Sequence, residues 1–154
     1  MSAIEAKLKE LGVTIPTPAA SVANYVGYVV TGNLVFCSGQ LPLDDGKIAM
    51  SGHLGKNVSI EDGYRAARIC AINLLAQLKA ATNGDLGKIK KVVRLTGFIS
   101  STPDFTDQSK IINGASDFLV EVLGDAGRHA RISISVAALP MGAAVEVEGV
   151  FEIA

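Results

Sequence analysis

The chain has 154 residues and a mass of 16.0 kDa, the size of one ordinary domain, with 49% of residues in the AVILMFWYC class and 19% charged. Fourteen Lys and Arg against fifteen Asp and Glu leave a net charge of -1 and a pI near 6.1, which removes the bulk electrostatic case for nucleic-acid binding. No apolar run approaches the ~18 residues of a membrane span, and the first ten residues hold no apolar signal core, so a single cytoplasmic domain over residues 1–154 is expected.

Ile4, Leu8 and Leu11 recur at helical spacing before Gly12, Pro16 and Pro18, which predicts a short amphipathic helix and an extended connector over residues 1–17. Two strand-like runs, 24–30 and 34–38, flank Thr31-Gly32-Asn33 and read as a β-hairpin. Residues 43–57 are rich in Gly and Asp and read as a loop, with a short edge strand around Ile48. Ser59 is placed to cap a long helix, with Glu61 and Asp62 at its positive end and Ile60, Ala67, Leu74 and Leu78 along one face as far as Asn83-Gly84. Val92, Val93, Leu95, Phe98 and Ile99 predict a strand buried on both faces. The next helix is expected to begin at Ser101-Thr102-Pro103-Asp104 and to close near Gly124.

The last segment alternates strictly. Ile132, Ile134 and Val136 interleave with Arg131, Ser133 and Ser135, and Val145 and Val147 with Glu146 and Glu148. Joined through Leu139-Pro140-Met141-Gly142, the two runs predict a second hairpin with an apolar face against the helices and a polar face away from them. The order α-ββ-α-β-α-ββ defines an α+β domain, a mixed sheet with two long helices packed on one face. The polar face is either solvated or turned toward other subunits. The apolar surplus, with 16 Gly and no Trp, favours the second reading and a homo-oligomer.

Cys37 and Cys70 sit in apolar sequence and suit buried free thiols of a reducing compartment. His53 and His129 lack the neighbouring ligands of a zinc site, and no Gly-rich phosphate loop precedes a helix. Lys88, Lys90, Lys91 and Arg94 flank a buried strand.

Four stretches carry a resemblance: Asn24-Tyr25-Val26; Cys37-Ser38-Gly39-Gln40-Leu41-Pro42; Asn113-Gly114-Ala115; and the closing Ala130-Arg131, Val136-Ala137-Ala138-Leu139-Pro140 and Val145-Glu146-Val147-Glu148. In this order and spacing, from about residue 18 onward, the chain resembles the Rid/YjgF family, the reactive-intermediate deaminases once called L-PSP endoribonucleases. The resemblance implies a chorismate-mutase-like fold assembled as a homotrimer, with an active-site cleft between each pair of subunits. It implies hydrolysis of enamines and imines such as 2-aminoacrylate to 2-keto acids and ammonia, with no metal or organic cofactor.

Carried over by position, Arg131 matches the arginine that holds the substrate carboxylate, a task suited to a planar fork of donors that stays charged. An interface salt bridge to Glu146 or Glu148 is the alternative for this side chain. Glu146 matches the glutamate that helps hold the attacking water, with Glu148 as its rival. Tyr25 matches the tyrosine at the cleft mouth, Ser38 and Gly39 the pocket lining, and Asn113 an asparagine turned toward the ligand. Tyr25 has a structural alternative as a half-buried strand tyrosine, and Asn113 as a surface residue or a helix-packing hydrogen bond. Ser133 stands where the best-known members carry cysteine. With the longer stretch from Phe105 to Asn113, the loop 43–57 and the N-terminal helix, it points to a longer paralogous branch. A non-catalytic trimer binding small carboxylates is the second reading. Ribonuclease, from the older family label, is the third; the absence of a basic face and of a general-base histidine pair argues against it.

Overall fold

The computed structural model describes residues 1–21 and 23–154. Ser2 and Glu5 form a capping box at the start of helix α1 (Ala3–Glu10): the Ser2 hydroxyl accepts from the Glu5 N–H at 3.2 Å and Glu5 Oε2 accepts from the Ser2 N–H at 3.1 Å. Ile4 and Leu8, one turn apart, are the buried residues of this helix, as the spacing predicts.

The first hairpin forms from β1 (Tyr28–Thr31) and β2 (Leu34–Gln40), paired antiparallel around Gly32. Its first strand starts later than expected, so Tyr25 lies ahead of it rather than within it. The reason is local: Gly27 accepts from the Ser38 N–H at 2.9 Å, and a Cβ on Gly27 would run into the buried side chain of Gln77. The strand around Ile48 exists as β4 (Lys47–Ile48). It pairs only with β3 (Leu43–Asp44), through a turn whose Asp45 and Gly46 both have positive φ, and forms a separate two-stranded ribbon.

Helix α2 (Ile60–Ala81) opens as predicted, with Ser59 Oγ accepting from the Asp62 N–H at 3.0 Å. Ala67, Leu74 and Leu78 are buried on one face, but Ile60 is exposed and belongs to no core face. Strand β5 (Ile89–Ser100) buries Leu95 and Ile99 under the helices, while Val93 on its other side is exposed, so burial on both faces does not extend along its whole length. Helix α3 (Gln108–Leu123) starts later than the Ser101-Thr102 signal suggested. The Ser101 N–H donates to Val136 O at 3.2 Å and the Thr102 N–H to Leu54 O at 3.0 Å, so both are held in extended pairing, and Asp107 takes the cap position. Gly124, at φ +63, ends the helix where expected.

The expected second hairpin does not form. Strands β6 (Ala130–Val136) and β7 (Val145–Ile153) are separated by β5, in the sheet order β1-β2-β7-β5-β6. β6 runs parallel to β5, with Arg131 opposite Leu95, and β7 runs antiparallel to both β5 and β2. Parallel neighbours need a crossover, and α3 supplies it between β5 and β6. The sheet is therefore mixed, and α2 and α3 cover one face of it.

One consequence inverts the expected faces of β6. Gly97, opposite Ser133, is a residue whose added Cβ would strike Ile112 of α3, so Arg131, Ser133 and Ser135 point toward the helices. Ile132 and Ile134 point away and are 44% and 39% exposed. On β7 the expected facing holds: Val145, Val147 and Phe151 are fully buried, and Glu146 and Glu148 lie on the open side. That open face also carries Phe36, opposite Val150 and 45% exposed. Between the helices, Gly114 of α3 lies so close to the backbone carbonyl of Tyr64 in α2 that no side chain fits. This close approach packs α3 directly against α2.

Candidate functional site

Arg131 lies on the edge strand β6 and reaches toward α3. Its Nη1 donates to Asn113 Oδ1 at 2.8 Å and to Ser116 Oγ at 3.1 Å. Asn113 and Ser116 are three residues apart and so share one helix face. Both contacts fall on a single guanidinium nitrogen. Among the described residues no carboxylate lies within ion-pair distance of Arg131. Within its own chain Arg131 pairs with neither Glu146 nor Glu148, because both carboxylates project from the opposite face of the sheet.

Two residues along the same side of β6, Ser133 Oγ is buried and has no hydrogen-bond partner among the described residues. Ser135, the next in the row, is satisfied by Gln108 Nε2 at 3.0 Å. A buried hydroxyl without a partner is uncommon in a folded protein, and here it lies in the same row of β6 as a half-buried arginine with no counter-ion among the described residues. The cavity beside Arg131 has a volume of about 670 Å³, with Asn113, Ser116 and His129 in its wall and Asp117, Glu121 and Arg128 among the other lining residues.

His129 closes the back of this cluster. Its Nδ1 lies 2.6 Å from Gly127 O and its Nε2 2.8 Å from Ser116 Oγ. Burial, and then the adjacent Arg131 charge, hold its pKa below the ordinary imidazole value against an opposing contribution from the Gly127 carbonyl. Gly127 is itself fixed, since a Cβ there would overlap the Leu119 carbonyl of α3.

The other site residues gather elsewhere. The register of β2 against β7 shifts between Cys37 and Gln40, a bulge that lifts Ser38 and Gly39 out of the regular ladder. Ser38 Oγ donates to Val26 O at 2.6 Å, tying the bulge to the segment that carries Tyr25, which is 55% exposed. A small cavity is lined in part by Tyr25, Ser38, Gly39, Gln40 and Met141. Glu146, opposite Phe98 on the open face, packs against Gly39. Burial first, and then the neighbouring charge of Glu148, push its carboxyl above the usual carboxylate range.

Within one chain, then, the sequence-predicted residues fall into two groups. Arg131, Asn113 and Ser133 lie together at the β6–α3 edge. Tyr25, Ser38, Gly39 and Glu146 lie together around the β2 bulge. The expectation that Arg131 and Glu146 share a sheet face is wrong, because the parallel pairing of β6 with β5 turns Arg131 to the helix side. Ser116 and His129 were missed by sequence reasoning; the available signal was Ser116 one helical turn beyond the matched Asn113.

A mixed sheet of this strand order, backed by two helices and preceded by a short third one, defines a chorismate-mutase-like α+β protein. The family model described as "YjgF/chorismate_mutase-like, putative endoribonuclease" matches residues 5–152, and the chain belongs to that family. It is similar to Protein TCP17 of Trypanosoma cruzi, 46% identical over 97% of this chain and 94% of that one. It also superposes on the crystal structure of Atu1372 from Agrobacterium tumefaciens, a protein of unknown function, at 49% identity and a TM-score of 0.93 over 99% of this chain and 93% of that one. A more distant structure, Escherichia coli TdcF with bound serine, is 25% identical with a TM-score of 0.63 over 92% of this chain and 96% of that one.

Among the described residues no helix is long and apolar enough to cross a membrane.

Proposed function

We propose that the protein is an enamine/imine deaminase that hydrolyses small 2-aminoacrylate-type intermediates to 2-keto acids and ammonia in clefts between subunits of a cytoplasmic homotrimer. The observation that carries this reading is Arg131: a half-buried guanidinium held by neutral partners on one nitrogen, with no counter-ion among the described residues and an unpartnered buried hydroxyl at Ser133 beside it. The remaining edge of the fork suits a carboxylate bidentately. TdcF was crystallised with serine, an α-amino acid, which supports a small carboxylate as the ligand class.

The separation of the two residue groups supports assembly. Glu146 and Arg131 project from opposite faces of one sheet, so a site containing both needs a second copy of the chain. The open face that presents Phe36, Ile132 and Ile134 offers apolar surface for that contact. In the assembled cleft Arg131 and Asn113 hold the carboxylate, while the Gly39 backbone and Tyr25 close over the substrate from the neighbouring subunit. Glu146 orients water toward the C=N carbon of the imine tautomer; addition gives a carbinolamine, which collapses to the keto acid as the protonated amine leaves as ammonia. Imine hydrolysis is intrinsically fast, so positioning and modest acid–base assistance suffice.

The test is the decay of 2-iminobutanoate generated in solution, with and without purified protein. Faster decay with stoichiometric ammonia release supports the deaminase. Unaccelerated decay together with saturable pyruvate binding would instead select the second reading, a trimer that binds 2-keto acids without turning them over.

A further inference from the structure

We infer that Ser116 and His129 form a positioning relay that sets the orientation of the Arg131 guanidinium, an inference that rests on Arg131 being the carboxylate-binding residue. The direction of each hydrogen bond follows from chemistry. Gly127 O only accepts, so His129 Nδ1 carries a proton and donates to it at 2.6 Å. In the neutral imidazole Nε2 is then an acceptor, and it receives the Ser116 hydroxyl proton at 2.8 Å. With its proton committed to the histidine, Ser116 Oγ presents only lone pairs to Arg131 Nη1 at 3.1 Å. Asn113 Oδ1 holds the other hydrogen of the same nitrogen at 2.8 Å.

Two acceptors on Nη1 fix the plane of the guanidinium without neutralising it. A carboxylate in place of Ser116 would hold the arginine as firmly but would compete with the substrate. A lone hydroxyl would rotate, and in one of its rotamers its hydrogen would face the guanidinium. The histidine removes that rotamer. The neighbouring charges leave the neutral ring undisturbed: Arg131 on β6 repels a second cation, and Asp117, Glu121 and Arg128, which line the same cavity, make no hydrogen bond or ion pair with the ring. The anchor at the far end is rigid, because Gly127 is packed against the Leu119 carbonyl.

The experiment measures pyruvate affinity by calorimetry on the assembled protein and its variants, alongside ¹⁵N NMR of the His129 ring. Ser116→Ala and His129→Phe are each expected to weaken pyruvate binding about tenfold, as loss of a hydrogen bond to a charged group does. The double variant should be no weaker than either single one, because the two residues act as a unit. His129→Gln, whose Oε1 accepts in place of Nε2, should restore affinity to within about threefold of the wild type. In the wild type near pH 7 the ring should carry its proton on Nδ1, and Ser116→Ala should shift the Nε2 resonance. If Arg131→Ala abolishes binding while Ser116→Ala and His129→Phe bind normally, the relay is wrong and the carboxylate site stands. If Arg131→Ala binds pyruvate like the wild type, the site itself is wrong and the relay falls with it. Equal losses in His129→Phe and His129→Gln, or an Nε2-protonated tautomer, would make the ring a packing element and overturn the relay alone.

Discussion

The backbone of Gly39 and the carboxylate of Glu146 are in such close contact that a Cβ at position 39 would overlap Glu146 Oε2. The bulge in β2 creates this approach, and the missing side chain is what lets the glutamate lie beside the Gly39 backbone at the rim of the Tyr25 cavity. Gly39→Ala displaces the far end of a flexible side chain, not backbone. Stability should therefore stay within about 1 kcal/mol of the wild type. Turnover of 2-iminobutanoate should fall at least about tenfold, because Glu146 is forced out of the water-holding position proposed for it. Urea unfolding and steady-state kinetics on the same preparation separate the two effects.

Arg131→Lys keeps the charge but loses the planar fork that Asn113 and Ser116 orient. Pyruvate affinity should drop by about one to two orders of magnitude in Arg131→Lys and become undetectable in Arg131→Ala. Neither change should alter the assembly mass by light scattering, since the side chain points to the helix side of its own subunit. Dissociation of Arg131→Ala into monomers would show the residue to be structural.

The contrast between β6 and β7 explains how much of this was legible in the sequence. Both alternate with period 2, and periodicity states that two faces differ without stating which one is buried. On β7 the apolar face is the inner one. On β6 the polar row faces inward, because α3 answers it with Asn113, Ser116 and Gln108, and the isoleucines are left outside. The hairpin expectation failed for a related reason: nearness in sequence favours pairing β6 with β7, but β5 enters between them once α3 has made its crossover. Helices α1 and α2 and the end of α3 were readable because capping and positive-φ signals are local. Arg131, Asn113 and Glu146 were singled out as candidates by their motif context. His129 carried no such signal, since its role rests on a hydroxyl one strand-to-helix contact away.

Gly114 occupies a close approach of α3 to α2, against the Tyr64 carbonyl, where backbone meets backbone and neither side can yield by a rotamer change. Gly114→Ala should cost about 2–3 kcal/mol by forcing the helices apart. The loss should appear as a lowered urea midpoint with an unchanged m-value. Because α3 carries Asn113 and Ser116, pyruvate affinity should weaken with it, whereas Gly12→Ala, in open space but at positive φ, should disturb stability alone.

Burial pushes the Cys37 thiol up to about 12 and raises Cys70 well above its ordinary value as well. Neither is a thiolate at neutral pH, and neither is accessible to a reagent. Ellman's reagent should label no thiol in the folded protein and two per chain in denaturant. Rapid labelling of Cys37 in the native state would show it to be accessible and reactive.

Glu146 couples pH to both stability and rate. Its carboxyl is raised by burial and then by Glu148, so the folded state favours the protonated form. The associated stability is present at low pH and is lost as pH climbs from the ordinary carboxylate pKa through the raised one, because over that window the folded state binds more protons than the unfolded state. Glu148→Gln removes the second cause. The variant should match the wild type at the acid end and exceed it above the window, by a few tenths of a kcal/mol, since Glu148 is exposed and water screens it. Under the proposed mechanism the same substitution moves the rising limb of the deamination rate to lower pH, since the water-holding form proposed for Glu146 is the ionised one. Thermal unfolding and rate profiles between pH 4 and pH 8 read both shifts. A rate limb that stays in place while the stability curve moves would assign water-holding to another group.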